Sequence, residues 1–297
     1  MNYIAVDWGT SNFRAFSVRE GLVVNSIQDD CGVAKCKPEQ LPEILRQQIS
    51  RLEESRDKDL PVILCGMIGS NIGIADAGYI ELPLSFSELL GKGRVLPGIL
   101  PNPVTLRPGI CDYRVNEICR GEEIQLAGAI ALTESSHFAA VGTHSKWMTI
   151  DRVKQQVMRL RTLITGELHH LMLNHSVVGK GLPAQQVSHS AFIEGIQQSL
   201  SFSAQSTDLV SELFRSRGRY ILNKLDKTSV SSWLSGLLIG YEVTQGCSEN
   251  QTICFIGSST LLPLYQQACE IIGINCTTLS AESAVIAGLN EVFRHGA

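Results

Sequence analysis

The residues best suited to chemistry in the first part of the chain lie in a short turn after an apolar strand. Asp7 ends that strand, and the turn continues with Gly9, Thr10, Ser11 and Asn12. Glycine allows backbone N–H groups to converge on an anion, and the hydroxyl and amide side chains add donors. A carboxylate at a strand end can hold hydrated Mg²⁺. The pattern is compatible with a phosphate site with magnesium at Asp7, but the motif is short, and by itself it fits a polar hairpin turn capped by Asp7 at least as well.

A second turn of similar composition follows another apolar strand. Gly142, Thr143 and His144 form it, and Lys146 follows soon after, as Arg14 does after the first turn. A duplicated strand–turn–strand unit is what a two-lobed kinase needs, with one turn per lobe around the phosphates of a nucleotide. Arg14 or Lys146 would then balance charge in the transition state. The alternative for Lys146 is an exposed lysine on a strand.

Two consecutive acids, Glu122 and Glu123, lie at the predicted start of a helix that continues with small residues. Phosphoryl transfer uses a carboxylate that accepts the proton of the attacking hydroxyl. Acids in the first turn of a helix are often only partners of the helix dipole. This helix leads directly into the second turn, so its N-terminal end should point toward the phosphates. We therefore expect one of the two carboxylates to be the catalytic base.

Two other segments are candidates for contact with a substrate. The glycine-dense stretch 65–73 follows a strand and contains Ser70 and Asn71, which can donate hydrogen bonds to a small polar molecule. A plain loop at the edge of a sheet is an equally good interpretation. Glu167 lies at the predicted start of a later helix, where it can contact substrate hydroxyls or simply cap the helix.

The histidines and cysteines do not have the spacing of metal ligands. His170 and His175 are five residues apart, so they do not share a helix face as zinc ligands would. The nine cysteines include no CxxC pair, and an odd number argues against a disulfide scaffold. We interpret them as reduced, mostly buried thiols.

The 297-residue chain has an ordinary globular composition, a formal net charge of -4 and a pI near 6.0. Without a block of basic residues, it gives no reason to expect a nucleic-acid or membrane partner, and small metabolites are the expected ligands. It shows no signal peptide and no apolar run of the roughly 18 residues that a membrane span needs. We therefore predict a cytoplasmic protein, and the length favours two domains. The sequence leaves the oligomeric state open, and a homodimer is compatible with it.

Strand and helix patterns alternate along the chain, which predicts an α/β fold. Apolar runs predict strands at residues 3–7, 13–18, 61–65, 138–141, 146–150, 252–256 and 274–279, with another starting near residue 22. Helical spacing predicts helices near residues 39–54, 122–132, 166–174, 190–200, 208–222, 229–244, 261–272 and 282–293. The polar segment 102–116 is predicted to be a loop. The lobe boundary is placed near residue 134, which divides the chain into 1–134 and 135–297.

Taken in order, these motifs resemble those of the 2-dehydro-3-deoxygalactonokinases, a family of sugar-acid kinases in the actin, hexokinase and Hsp70 superfold. The resemblance covers nearly the whole chain and is carried by VDWGTSNFR (6–14), GMIGSN (66–71), RGEEIQL (120–126), GTHSKW (142–147), TGELHH (165–170), SGLLIG (235–240) and GSS (257–259). It implies a two-lobed, actin-like ATPase (ribonuclease H-like) fold with a nucleotide cleft between the lobes.

The same resemblance implies a reaction. The family transfers the γ-phosphate of ATP, with Mg²⁺, to the C6 hydroxyl of 2-dehydro-3-deoxy-galactonate in galactonate breakdown. Alternatives that the sequence leaves open are a kinase for another sugar acid or polyol, and a non-catalytic ATP-binding regulatory protein of the same fold.

The resemblance also implies roles for individual residues. The related glycerol and xylulose kinases have a Gly-Asp-Gln segment with a catalytic aspartate, and Glu122 occupies the place of that aspartate here. Because glutamate is longer by one methylene, Glu123 stays an alternative base. Gly257 and Ser258 lie in the segment that binds adenosine, where the relatives usually have a double glycine.

Overall fold

A computed structural model describes residues 1–201, 208–247 and 251–296 of the chain. Strands and helices are mixed throughout these residues, and the predicted α/β class is confirmed. The chain divides into two compact units. The first unit comprises Met1–Ser136, Met148–Arg161 and Ala281–Ala297, and the second comprises His137–Trp147 and Thr162–Ser280.

The regular elements are numbered in chain order. The strands are β1 (Asn2–Trp8), β2 (Phe13–Arg19), β3 (Leu22–Asp29), β4 (Val62–Cys65), β5 (Tyr79–Glu81), β6 (Leu84–Ser85), β7 (Arg94–Val95), β8 (Val104–Leu106), β9 (Gly109–Asp112), β10 (Glu117–Cys119), β11 (His137–Ala140), β12 (Ser145–Asp151), β13 (Gln156–Leu163), β14 (Ile253–Gly257) and β15 (Cys276–Ser280). The α-helices are α1 (Leu41–Ser50), α2 (Phe86–Gly91), α3 (Glu122–Leu132), α4 (Thr165–Asn174), α5 (His189–Leu200), α6 (Leu209–Ile221), α7 (Val230–Gly246), α8 (Leu262–Ile272) and α9 (Ala281–Gly296).

The main sheet of the first unit has the strand order β3-β2-β1-β4-β8-β7. Nearly all of β1 is buried, which explains its unbroken apolar run. β1 pairs antiparallel with β2, which places Asp7 opposite Arg14, and parallel with β4, which places Asp7 beside Cys65. The carboxyl ends of β1 and β4 therefore lie together, so the turn after Asp7 and the loop after Cys65 leave the sheet at one edge.

The helices α3 and α9 of the first unit cross at very short distance. A Cβ atom at Gly128 of α3 would lie 1.9 Å from the carbonyl oxygen of Ala284, and one at Gly288 of α9 would lie 2.0 Å from that of Ile124. Only glycine fits at both positions. The crossing holds the C-terminal helix on the helix that begins with the two candidate carboxylates.

In the second unit, β14 pairs in parallel with β11 on one side and β15 on the other. Its helices α5 and α7 also cross at short distance, with glycine at the points of contact. A Cβ at Gly195 would lie 2.1 Å from the carbonyl oxygen of Trp233, and one at Gly236 would lie 2.0 Å from that of Phe192. The long apolar pattern of α7 is explained by this packing, because nearly all of its middle residues are buried.

Several parts of the secondary structure differ from the sequence-based prediction, which did not include α2, β5, β6, β7 or β10. The segment 102–116, predicted to be a loop, contains β8 and β9, which pair with β4 and β10 respectively. These strands are three and four residues long, so they are too short to show a periodic pattern. β13 was not predicted either, although exposed Arg159 and Arg161 alternate with buried Leu160, which is a usable strand signal.

The bounds of the two compact units differ from those of the predicted lobes. The first unit includes residues 148–161 and α9, which follow the predicted boundary near residue 134. These compact units reflect packing, and the functional lobes 1–134 and 135–297 stay a prediction.

All nine cysteines are free, and five of them are buried. Within the described ranges, no helix is long and apolar enough to cross a membrane.

Gly128→Ala is expected to destabilise the chain by about 1–3 kcal/mol or more, because the added methyl would force α3 and α9 apart. The measurement is the free energy of unfolding from urea denaturation. Gly218→Ala in α6 is the matched control, since nothing lies within 4 Å of a Cβ at Gly218. We expect this control to be neutral or to stabilise by roughly 0.5–1 kcal/mol. Equal effects of the two substitutions would contradict the close crossing.

Candidate active site

The first turn closes on itself and leaves its polar side chains toward solvent. The Gly9 N–H donates to the carbonyl oxygen of Asn12 at 2.9 Å. The side chains of Thr10, Ser11 and Asn12 are exposed. The predicted donors are therefore available to a ligand on the open side of the turn.

A segment that the sequence-based prediction missed supports this turn from behind. The N–H groups of residues 32–34 donate to the carbonyl oxygens of Ser11, Gly9 and Thr10 at 3.1, 3.0 and 3.1 Å. A Cβ at Gly32 would lie only 2.2 Å from the backbone of Ser11. Gly32 was thus a usable signal in the sequence, because glycine often marks such a close backbone approach.

Asp7 and Arg14 form an ion pair across β1 and β2. Arg14 Nη2 donates to Asp7 Oδ2 at 2.5 Å, and the Asp7 side chain is 12% exposed. The structure therefore brings together the residue predicted to hold the metal and one of the bases predicted to balance charge. Each compensates the charge of the other at the edge of the sheet.

Two glycines with positive φ connect Asp7 to the start of α3. Gly66 has φ +88°, and a Cβ there would lie 2.8 Å from the carbonyl oxygen of Trp8 and 3.2 Å from Asp7 Oδ1. Gly121 has φ +106°, and a Cβ there would lie 3.5 Å from the Cα of Gly66. Glycine is thus needed for the close approach at Gly66. Through these contacts the first turn and the two glutamates of α3 lie in one region of the first unit.

The two consecutive glutamates of α3 have different surroundings. Glu123 is 2% exposed, and its Oε2 accepts a hydrogen bond from the Gly121 N–H at 2.5 Å. Glu122 is only partly buried. Cys119 Sγ lies 3.3 Å from Glu122 Oε2 and 3.9 Å from Glu123 Oε2. Because successive helical residues point about 100° apart, one carboxyl faces the interior while the other can face a ligand.

Burial and the nearby charge of Glu122 raise the pKa of Glu123 to about 8. The Gly121 N–H and the charge of Arg120 oppose this rise. The Glu123 carboxyl is therefore mostly protonated at neutral pH. Burial also raises the pKa of the Cys65 thiol, and the charges of Asp7 and Glu123 raise it further. Asp7 and Glu123 both raise the pKa of the same thiol, which agrees with their closeness to each other.

The donor atoms near α3 and Asp7 suit different metals. Cys119, Glu122 and Glu123 place three ligand atoms within 4.8 Å of one another, but a thiol is a soft ligand that Mg²⁺ does not prefer. Mg²⁺ keeps most of its waters and needs one or two carboxylates. Asp7 offers one carboxylate beside a polar, exposed turn, which fits a hydrated Mg²⁺.

The predicted substrate loop lies next to Arg120, two residues before Glu122. A Cβ at Gly69 would lie 3.0 Å from Arg120 Nη1. Ser70 is buried and its hydroxyl donates to the carbonyl oxygen of Met67 at 2.7 Å. Asn71 is exposed. Asn71 is therefore better placed than Ser70 to contact a ligand.

In the second unit, the second turn packs directly on the start of α4. A Cβ at Gly166 would lie 2.6 Å from the carbonyl oxygen of Gly142. The Glu167 N–H donates to the carbonyl oxygen of Thr143 at 3.0 Å, and His144 Nε2 lies 2.6 Å from Glu167 Oε2. The residues predicted for nucleotide and for substrate contact are thus neighbours here.

Lys146 and the predicted adenosine segment complete this region. Lys146 is 8% exposed and its Nζ donates to Thr162 Oγ1 at 3.0 Å, so the alternative of an exposed strand lysine is wrong. Gly257 ends β14 beside Val141, since a Cβ at Gly257 would lie 2.8 Å from Val141 Cγ2. Ser258 is exposed and accepts the Leu261 N–H at 3.3 Å before α8. The second turn and the Gly257 segment therefore leave the sheet side by side.

Sequence reasoning also missed a buried carboxylate near the second turn. Glu242 in α7 has no exposed surface and accepts hydrogen bonds from Trp147 Nε1 at 2.9 Å and the Tyr265 hydroxyl at 2.7 Å. A single acid within an otherwise apolar helix was the signal that could have identified it.

The fold and these turns define the class of actin-like ATPases and sugar kinases. The activator of 2-hydroxyisocaproyl-CoA dehydratase from Clostridium difficile, solved with bound ADPNP, is similar to this chain with a TM-score of 0.50 at 10% identity, over 99% of this chain and 96% of that chain. At such low identity this similarity supports the fold alone. The actin-like fold predicted from the motifs is confirmed.

Comparisons at higher identity narrow the class to one family. A crystal structure from Sinorhizobium meliloti that carries the name 2-dehydro-3-deoxygalactonokinase has a TM-score of 0.87 and 30% identity, over 98% of both chains. The 2-dehydro-3-deoxygalactonokinase of Escherichia coli K12 is 36% identical over 296 residues, which cover 98% of this chain and 97% of the relative. A Rhizobium meliloti relative with the same family name is 32% identical over 303 residues, covering 98% of this chain and 96% of the relative.

The family model described as 2-keto-3-deoxy-galactonokinase matches residues 7–292. The chain belongs to this family, whose members are kinases with an alcohol group as phosphate acceptor. The resemblance inferred from the motifs is confirmed, whereas the roles of individual residues stay predictions.

Glu123→Gln is expected to remove a pH dependence of stability. The pKa of Glu123 rises from its ordinary value of 4.5 to about 8 on folding, so the folded chain holds a proton that the unfolded chain releases. The wild-type free energy of unfolding should therefore fall as the pH rises from 4.5 to about 8 and level off above it. Glutamine cannot ionise and lacks this fall. Urea unfolding at about pH 5.5, 7 and 8.5 measures the difference.

Glu88→Gln is the matched control, also in the first turn of a helix of the first unit. Hydrogen bonds from the Ser85 backbone and hydroxyl lower the pKa of Glu88, so its carboxylate stays ionised over this range. The control should lose a similar amount of stability at each pH. Parallel pH curves for wild type and Glu123→Gln would contradict a protonated Glu123.

Proposed function

We propose that the chain transfers the γ-phosphate of ATP to the C6 hydroxyl of 2-dehydro-3-deoxy-galactonate, in the cytoplasm, as a step of galactonate catabolism. The observation that carries this proposal is the pair of glutamates at the start of α3, one buried and one partly exposed, beside the Asp7 turn. Membership of the family supports the substrate.

Glu122 is the proposed catalytic base. It must accept the proton of the C6 hydroxyl as that oxygen attacks the γ-phosphorus and the bond to the leaving ADP breaks. Glu123 is poorly suited to this role, because burial keeps its carboxyl protonated near neutral pH. Its hydrogen bond from Gly121 instead holds the first turn of α3, which carries Glu122.

The two turns are the proposed contacts for the phosphates of ATP. Thr10, Ser11 and Asn12 present exposed donors in the first unit. In the second unit, backbone and side-chain groups of Gly142, Thr143, His144 and Lys146 take this role, and Gly257 and Ser258 contact the adenosine. Such donors stabilise negative charge without reorganisation during the reaction.

Asp7 is the proposed residue that holds Mg²⁺ through water, and the ion supplies positive charge to the phosphates. Arg14 keeps the Asp7 carboxylate in place through its ion pair. For the sugar acid, the proposed contacts are Asn71, Ser70 and Glu167. Asn71 is the more accessible of the two loop residues, because Ser70 is buried and its hydroxyl is hydrogen-bonded to the backbone.

Glu122→Gln is expected to lower kcat by about 10² to 10⁴, because the amide cannot accept the proton of the attacking hydroxyl. Glu123→Gln should lower kcat far less, since the amide oxygen can still accept the Gly121 N–H. A coupled ADP-release assay measures both. Glu88→Gln, in the first turn of α2, is the control for loss of a helix-start carboxylate. Turnover at the wild-type rate in Glu122→Gln would contradict the assignment.

A substrate panel tests the proposed reaction itself. Mg-ATP is offered with 2-dehydro-3-deoxy-galactonate, its gluconate epimer, glycerol and xylulose. We expect ADP release and a phosphorylated product with the keto-acids, and none with the neutral polyol or sugar. Comparable turnover on glycerol or xylulose would overturn the sugar-acid assignment, and ATP binding without any product would overturn catalysis.

A further inference from the structure

The buried Glu242 carboxylate collects four hydrogen-bond donors from three different elements. Trp147 Nε1 of β12 donates to Oε1 at 2.9 Å. The Tyr265 hydroxyl of α8 donates to Oε2 at 2.7 Å, and the Ser145 hydroxyl donates to the same oxygen at 3.2 Å. The Thr165 hydroxyl, at the start of α4, is the fourth donor. Both oxygens of the carboxylate are therefore bound, and the groups around it have little freedom to move.

The donors of this carboxylate are neutral. Among the residues that the structure describes, no lysine or arginine forms an ion pair with Glu242. Burial raises the pKa of Glu242, and the four hydrogen bonds oppose that rise. A buried carboxylate without a cation costs free energy unless its hydrogen bonds are well formed. An apolar residue at this position would stabilise α7 without that cost. The presence of the acid is explained if its function is to arrange its donors.

The donors lie on both sides of the second turn. Ser145 and Trp147 follow the turn directly in β12. Thr165 begins α4, two residues before Glu167, whose N–H donates to the carbonyl oxygen of Thr143 in the turn. One carboxylate thus holds the strand that leaves the turn and the helix that packs on it.

The same network reaches the strand that ends at Gly257. The Phe255 ring of β14 packs edge-on against Trp147, with 5.7 Å between ring centroids, and lies 5.2 Å from the Tyr265 ring. A Cβ at Gly246 of α7 would lie 2.5 Å from the Trp147 ring, so α7 closes tightly on this side. The predicted phosphate and adenosine segments of the second unit are therefore fixed around Glu242.

We propose that Glu242 is a positioning residue for the nucleotide: it fixes the second turn, the start of α4 and the end of β14, and thereby sets the affinity for ATP without touching it. This inference rests on the proposed nucleotide-binding role of those segments. It predicts that weakening the network loosens ATP binding more than it changes the affinity for the sugar acid.

The test uses Glu242→Gln and Tyr265→Phe, each with a matched control in the same unit. Glu212→Gln replaces another buried glutamate, paired with Arg215 at 2.6 Å in α6. Tyr220→Phe removes another buried hydroxyl, which donates to the carbonyl oxygen of Val178 at 2.9 Å. Binding of a non-hydrolysable ATP analogue is measured without sugar acid, together with KM for both substrates, kcat and Tm.

We expect Glu242→Gln to weaken analogue binding and raise the KM for ATP by about tenfold or more, and Tyr265→Phe by about threefold. The KM for the sugar acid should rise by less than the KM for ATP, because of its three proposed contacts only Glu167 lies next to this network. The control variants should lower Tm without weakening the binding of the ATP analogue. Tyr265→Phe keeps the carboxylate and the ring, so it tests the inference even if Glu242→Gln folds poorly.

Unchanged analogue binding in Tyr265→Phe and in any folded Glu242→Gln would overturn the inference, as would equal weakening by the controls. Because binding is measured without turnover, failure of the proposed function can be distinguished from failure of this inference. A wild-type chain that binds the analogue but phosphorylates none of the panel refutes the proposed reaction and leaves this inference open to the same binding test.

Discussion

A carboxyl group removed from water must receive hydrogen bonds or a proton, and each unit of this chain has such a group near one of the two Gly-Thr turns. In the first unit Glu123 accepts the Gly121 N–H and is held largely protonated by burial. In the second unit Glu242 is surrounded by four neutral donors. Glu123 is bonded to the backbone at the start of α3, and Glu242 is bonded to side chains that follow the second turn and precede Glu167. The compensation of each burial therefore involves groups that are close in the chain to the proposed ligand contacts.

Close backbone approach is the second requirement of this design. Gly66 brings Asp7 and the loop after β4 together, and Gly32 lets a supporting segment lie on the back of the first turn. Gly166 does the same for the start of α4 and the second turn. A side chain at any of these positions would push apart backbone segments that are in contact in this structure. The turns are therefore preorganised by packing, which is how enzymes avoid reorganisation when charge develops.

Family membership and chemistry come from different observations. The Clostridium difficile activator shows that the fold is kept at 10% identity, where it says nothing about the reaction. The match to the family over residues 7–292 identifies a kinase. The division of labour between Glu122 and Glu123 is instead a proposal from local physics, since two adjacent carboxyls with unequal burial cannot share one role.

The sequence by itself determined the α/β class, most elements and the two turns, because apolar runs and Gly-Thr signals are local. It also pointed to the Glu122 and Glu123 pair, but could not separate them, because burial of one carboxyl depends on elements distant in the chain. The short strands β8 and β9 form through pairing with partner strands rather than through their own pattern. Glu242 was missed for the same reason. Its donors are far apart in sequence, and only tertiary packing brings them to one carboxylate.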